Sequence, residues 1–69
     1  MIREVNIRDE FITLGQFIKI VDLVSSGGEA KLFLKENTIY INGETDNRRG
    51  RKLYKDDLIL INNISYKIC

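Results

Sequence analysis

Histidine is absent from the chain and cysteine occurs once, at Cys69. The commonest general base and the commonest metal ligand are therefore missing, and a single thiol can form neither an internal disulfide nor a thiolate cluster. No pairing of a nucleophile with a base, and no ligand spacing, can be found among the remaining carboxylates, lysines and tyrosines. The expectation is a protein without catalytic residues, without a metal site and without a cofactor. No apolar run approaches the roughly 20 residues that span a bilayer. Met1-Ile2-Arg3-Glu4 mixes charges where a signal peptide would carry an apolar stretch. No repeat, linker or low-complexity tract interrupts the chain. These absences predict a cytoplasmic protein that does not engage membranes and folds as one domain over residues 1–69.

What is present suffices for a small core. The 69 residues are 43% hydrophobic and 30% charged, the balance of a globule whose apolar surface can offset chain entropy, although a chain this short is marginally stable. The formal net charge is only +1, yet five of the eleven basic residues crowd together as Arg48, Arg49, Arg51, Lys52 and Lys55. The ten acidic residues are spread along the rest, so the arrangement of charge says more than its sum.

Apolar alternation at Val5 and Ile7 predicts a short edge strand or an extended lead-in over residues 3–7. Leu14, Phe17, Ile18 and Val21 fall on one helical face, with Thr13 placed to cap the first free amides. Ser25-Ser26-Gly27-Gly28 then reads as the turn of a helix pair. The second helix runs from Gly28 or Glu29 to Glu36, burying Ala30, Phe33 and Leu34, and Asn37 is suited to a left-handed closing residue. Residues 38–41 form a β-branched and aromatic strand that enters an Asn42-Gly43 turn. Residues 44–52 are polar throughout and predict a long exposed arm or loop, closed by Leu53 returning to the core. Leu58 to Ile61 and the alternating Ile64, Tyr66 and Ile68 make a hairpin around Asn62-Asn63. The fold class is α+β, a helix-turn-helix packed against a small antiparallel β-sheet.

In this order and at this spacing, the pattern resembles the RNA-binding domain first recognised in the fourth small-subunit ribosomal protein, the S-four domain or αL RNA-binding motif. The resemblance covers residues 13 to about 61. It is carried by Leu14, Phe17 and Ile18, by Gly27-Gly28-Glu29-Ala30-Lys31, by Thr38-Ile39-Tyr40-Ile41-Asn42-Gly43, and by Asp57-Leu58-Ile59. The Gly-Gly-Glu-Ala-Lys run and the Arg48-Arg49-Gly50-Arg51-Lys52 stretch resemble the small stand-alone YaaA-like and YbcJ-like members most. The resemblance implies a bacterial RNA-binding protein, with ribosomal or transfer RNA and the ribosome as partners. Two positions depart from the wider family: Gly28 stands where many members carry arginine, and Asp56 stands where glycine usually precedes the late aspartate.

The candidate RNA-binding residues are Gln16, Ser26, Gly27, Gly28, Lys31, Lys35, Asn42, Arg48, Arg49, Arg51 and Lys52. Arginine can hold a phosphate through two hydrogen bonds, and helix-start amides attract anions. The plain alternatives are a solvated basic loop and a glycine connector. A protein-interaction module docking an acidic partner is the rival function. Tyr40, Tyr54 and Tyr66 are assigned to sheet packing, Asp56 and Asp57 to a turn, and Cys69 to a frayed, inert end. A double charge reversal at Arg49 and Arg51 is expected to leave stability unchanged.

Overall fold

A computed structural model describes residues 2–69. Nine elements follow one another: β1 (Ile2–Val5), β2 (Phe11–Thr13), α1 (Leu14–Ile20), α2 (Gly27–Glu36), β3 (Ile39–Ile41), β4 (Glu44–Thr45), β5 (Lys52–Tyr54), β6 (Leu58–Ile61) and β7 (Ile64–Ile68). The fold is α+β. One sheet has the order β1-β7-β6-β3-β4, and β2 pairs with β5 in a separate two-stranded ribbon.

Both helices start on side-chain caps. Thr13 accepts from the Gln16 amide while Gln16 Oε1 accepts from the Thr13 amide, a reciprocal box that satisfies two free donors. Ser26 caps α2 by accepting from the Glu29 amide at 3.2 Å. Leu14, Phe17 and Ile18 of α1 and Ala30 and Leu34 of α2 are buried against the inward residues of the large sheet, Ile39, Ile41, Ile59, Ile61, Tyr66 and Ile68. Phe17 meets Tyr66 edge-on, with ring centroids 5.2 Å apart.

The two turns read from asparagine take left-handed backbone as expected, at Asn42 (φ 52°) with Gly43 (φ 87°), and at Asn62 and Asn63 (φ 50° and 65°). Asn37 does not. Its φ of −125° and ψ of 148° are extended, because the chain runs straight from α2 into β3. The helix end is satisfied differently: the Asn37 backbone amide and side-chain amide both donate to the Phe33 carbonyl. The left-handed residue that closes a helix is Asp22 (φ 62°), after α1.

Four further expectations are corrected. The sheet is mixed, because β1 lies parallel to β7. The first strand ends at Val5, short of Ile7. The Cys69 end is clamped, its amide donating to the Val5 carbonyl at 2.8 Å and its carbonyl accepting from the Ile7 amide at 3.1 Å. Of the three tyrosines, Tyr66 is a core residue, whereas Tyr40 and Tyr54 point outward and are 40% and 42% exposed.

Asp56 keeps the left-handed geometry of a glycine position, with φ of 75°. An L-side chain is strained there, and its surface contact to Lys67 at 3.8 Å gives little in return. Asp56→Gly should therefore stabilise the protein, by about 0.5 kcal/mol after allowing for glycine's greater chain entropy. Thermal denaturation should show a rise of roughly 3 °C. An unchanged or lower midpoint would mean the carboxylate contributes more than its geometry suggests. No helix among the described residues is long and apolar enough to cross a membrane.

Candidate nucleic-acid interface

The segment between β4 and β5 is short of regular structure but is not a free arm. Asp46, with a side chain only 9% accessible, accepts from Arg48 Nη2 at 2.8 Å and from Arg51 Nη1 at 2.9 Å. Arg48 Nε and the Arg48 backbone amide also donate to this carboxylate. The backbone then docks on α1, where the Arg51 carbonyl accepts from the Leu14 amide at 2.8 Å and the Arg49 carbonyl from the Gly15 amide at 3.0 Å. The approach is close without depending on glycine, since a Cβ at Gly15 would stand in ordinary contact, 3.4 Å from the Arg49 carbonyl oxygen. Two amides of the first turn of α1, which no intrahelical carbonyl could satisfy, are thus satisfied by the loop. The loop in turn acquires a fixed position. Polarity alone had suggested an exposed arm because the one carboxylate that organises it, Asp46, looks like any other surface acid in the sequence.

Hydrogen bonds from the Arg48 side chain and backbone, with a further one from Arg51, hold the Asp46 carboxyl well below the usual carboxylate range, against the opposing effect of desolvation. The same contact raises the Arg48 guanidinium. A carboxyl whose folded pKa is depressed stabilises the fold above its unfolded value and loses that contribution as the pH falls toward the folded one. The melting temperature should therefore drop as the pH falls below about 4. In Asp46→Asn the same acid limb should be shallower, and equal slopes for the two proteins would show that the ion pair does not organise the loop.

Docking of this loop brings cations from separate stretches together. Lys35 of α2 and Arg48 line one groove together with Asn37, Asp46 and Asn47. Gln16 and Lys19 of α1, Gly27 of α2, and Arg49 and Gly50 line a second. Lys31 is exposed and lies one turn from Gly27 and one turn from Lys35, so the row 27, 31, 35 runs along α2 from one groove to the other. The carboxylate in the first groove, Asp46, is already engaged by its arginines.

The eleven candidate residues divide by what they already do. Gln16 and Ser26 hold helix caps, leaving the Gln16 amide nitrogen and the Ser26 hydroxyl proton able to donate outward. Asn42 uses both ends of its carboxamide inside the fold: Nδ2 donates to Asp57 at 3.0 Å and Oδ1 accepts from the Leu58 amide at 2.9 Å. Asp57 also accepts from the Tyr54 amide, so the late aspartate ties two turns together. Arg48 and Arg51 are paired with Asp46, and Arg51 is the less exposed of the two, its side chain 30% accessible. Reversing Arg51 would set two carboxylates against each other, so it is not the stability-neutral change expected from sequence. Among the described residues Arg49, Lys31 and Lys35 have no ion-pair partner. Lys52 extends over the ring of Phe11, 4.8 Å from its centroid. Gly27, Gly28 and Gly50 have open space where a side chain would begin, so packing does not require glycine at any of them.

Sequence reasoning passed over Lys19, although it lies three residues after Gln16 on the same helix face. It also passed over β2, whose Phe11-Ile12-Thr13 is too short to show alternation. No cluster of acidic or cysteine side chains suited to a metal ion occurs among the described residues.

Comparison with known proteins agrees with this architecture. The family model described as S4 domain matches residues 5–69. A protein of Bacillus subtilis (strain 168) named "Probable ribosome maturation protein RlbA" is 52% identical over 61 residues, covering 88% of this chain and 86% of that protein. With the matched region taking in α1, α2, the docked basic loop and the sheet behind them, the chain belongs to the S4 domain family, the RNA-binding family to which its motifs point.

Proposed function

We propose that residues 1–69 act as one non-catalytic domain that binds structured ribosomal RNA in the cytoplasm and serves ribosome maturation. Phosphates are held by Lys19, Lys31, Lys35, Arg48 and Arg49, with Arg51 and Lys52 at the margin. Gln16 and Ser26 donate single hydrogen bonds, the open backbone at Gly27, Gly28 and Gly50 allows close approach, and Asn42 positions the adjacent turn. The observation that supports this reading is the docking of the basic loop on α1, with Arg48 lining one groove together with Lys35 and Arg49 lining another together with Lys19. The name of the Bacillus relative favours ribosomal RNA over transfer RNA.

A-form RNA hides its major-groove base edges in a deep, narrow groove, so a surface of this kind recognises shape, phosphates and 2′-hydroxyls more than sequence. Specificity then comes from the architecture of the RNA. Ultraviolet crosslinking in cells, followed by sequencing of the recovered RNA and mapping of the crosslinked peptides, tests the assignment. Ribosomal RNA should be enriched, with crosslinks in residues 27–35 and 46–52. Recovery of transfer RNA alone would replace the substrate, and partners that survive ribonuclease treatment without any RNA would favour an acidic protein instead.

A further inference from the structure

The β2–β5 ribbon has two faces of different character. Ile12 and Leu53 are buried on one, while Phe11, Thr13, Lys52 and Tyr54 project on the other, in the cross-strand pairs Phe11 with Tyr54 and Thr13 with Lys52. The two rings lie 5.8 Å apart and tilted by 49°, so Phe11 supports Tyr54 without covering it, and Tyr54 remains 42% exposed. Lys52 places its ammonium over Phe11, and Lys55 follows on the same exposed stretch. Thr13 belongs also to the groove of Gln16, Lys19, Arg49 and Gly50, so this aromatic face continues directly from the basic one.

We infer that the outward face of the β2–β5 ribbon is a stacking site for a single unpaired nucleotide, with Tyr54 as the platform, Phe11 as its support and Lys52 as the contact to the flanking phosphate. The inference rests on the RNA-binding reading above and adds a ligand chemistry to it. Aromatic rings accept any base through its π-face, and an adjacent cation neutralises the backbone that accompanies it. The exposed carboxylates of Asp9 and Glu10, which directly precede Phe11, disfavour a run of phosphates at this end and suit a base there. The site would direct the protein to helices interrupted by a bulge or a loop, where a base is free to leave the stack.

Two RNA hairpins with the same stem test this, one fully paired and one carrying a single bulged 2-aminopurine nucleotide. The protein should bind the bulged hairpin about tenfold more tightly, in the range of one base stacked on an aromatic ring. The 2-aminopurine fluorescence should change on binding. Tyr54→Leu should lose the preference and the fluorescence change while keeping its affinity for the paired hairpin, which also shows that the variant is folded. Tyr54→Phe should retain both. Arg49→Glu should weaken both hairpins alike. Equal affinity of the unaltered protein for the two hairpins, or a preference that survives Tyr54→Leu, would overturn the stacking site and leave the phosphate surface standing. Failure of the unaltered protein to bind either hairpin in a salt-dependent way would overturn both.

Discussion

Lys35→Glu combined with Arg49→Glu should lower affinity for ribosomal RNA on the order of 100-fold at about 0.15 M salt, and leave the melting temperature nearly unchanged. Each replaced cation removes one phosphate contact with its released counterion and sets a carboxylate in its place. The pair is chosen on structural grounds. Both side chains are exposed and neither has an ion-pair partner among the described residues, in contrast to Arg48 and Arg51, which hold Asp46. Because one residue lies in each groove, the double change also tests whether the grooves act as one surface. If each single reversal cost little and only the double removed affinity, the grooves would bind alternatively. If the double change also left affinity intact, the site would lie elsewhere.

Phe17→Ala should cost about 3 to 5 kcal/mol, the largest loss of stability expected from a single change. Phe17 is fully buried in the face of α1 that packs on the sheet, and its ring meets the edge of Tyr66. A chain of this length has a stability of roughly 3 to 10 kcal/mol, so the variant should be largely unfolded or close to it. Denaturant titration followed by circular dichroism would check this, with Phe17→Leu as the milder comparison. RNA binding should fail in Phe17→Ala together with folding, because α1 is the ground on which the basic loop docks. A variant that unfolded less than Phe17→Leu would place the core elsewhere.

Much of the architecture is visible in the residues because the local signals agree with the tertiary outcome. Thr13 and Ser26 cap the helices they precede, and the Asn42-Gly43 and Asn62-Asn63 turns take the backbone that asparagine tolerates. The departures are cases where a distant partner decides. Asn37 looks like a left-handed stop but is drawn into extended backbone by the strand that follows. The β2–β5 pair joins three-residue strands separated by both helices, and neither strand is long enough to show a period. The parallel contact of β1 with β7 unites the two ends of the described chain, which no local pattern can announce. Of the candidate interface, the cationic residues themselves are legible as composition. Their partition is not: Asp46 engages two arginines, and the exposed Asn42 engages its carboxamide with Asp57 and the Leu58 amide, through contacts that only the folded chain creates.

Asp56 carries the opposite lesson. Its departure from the family's glycine suggests an altered turn, yet the backbone holds the glycine-like angle and the aspartate bears the strain. The hydrogen bonds around it, from the Asp56 amide to the Ile68 carbonyl and from the Asp57 amide to the Tyr54 carbonyl, fix the turn more firmly than the side chain opposes it.

The account depends most on a continuous anion-binding surface assembled by the docked loop, and the salt dependence of RNA binding reads that surface directly. With Arg48 already paired to Asp46, neutralisation of about four phosphates by Lys19, Lys31, Lys35 and Arg49 predicts a plot of log affinity against log salt with a slope of roughly −3, falling to about −1.5 in the Lys35, Arg49 double variant. A slope near zero for the unaltered protein would contradict it.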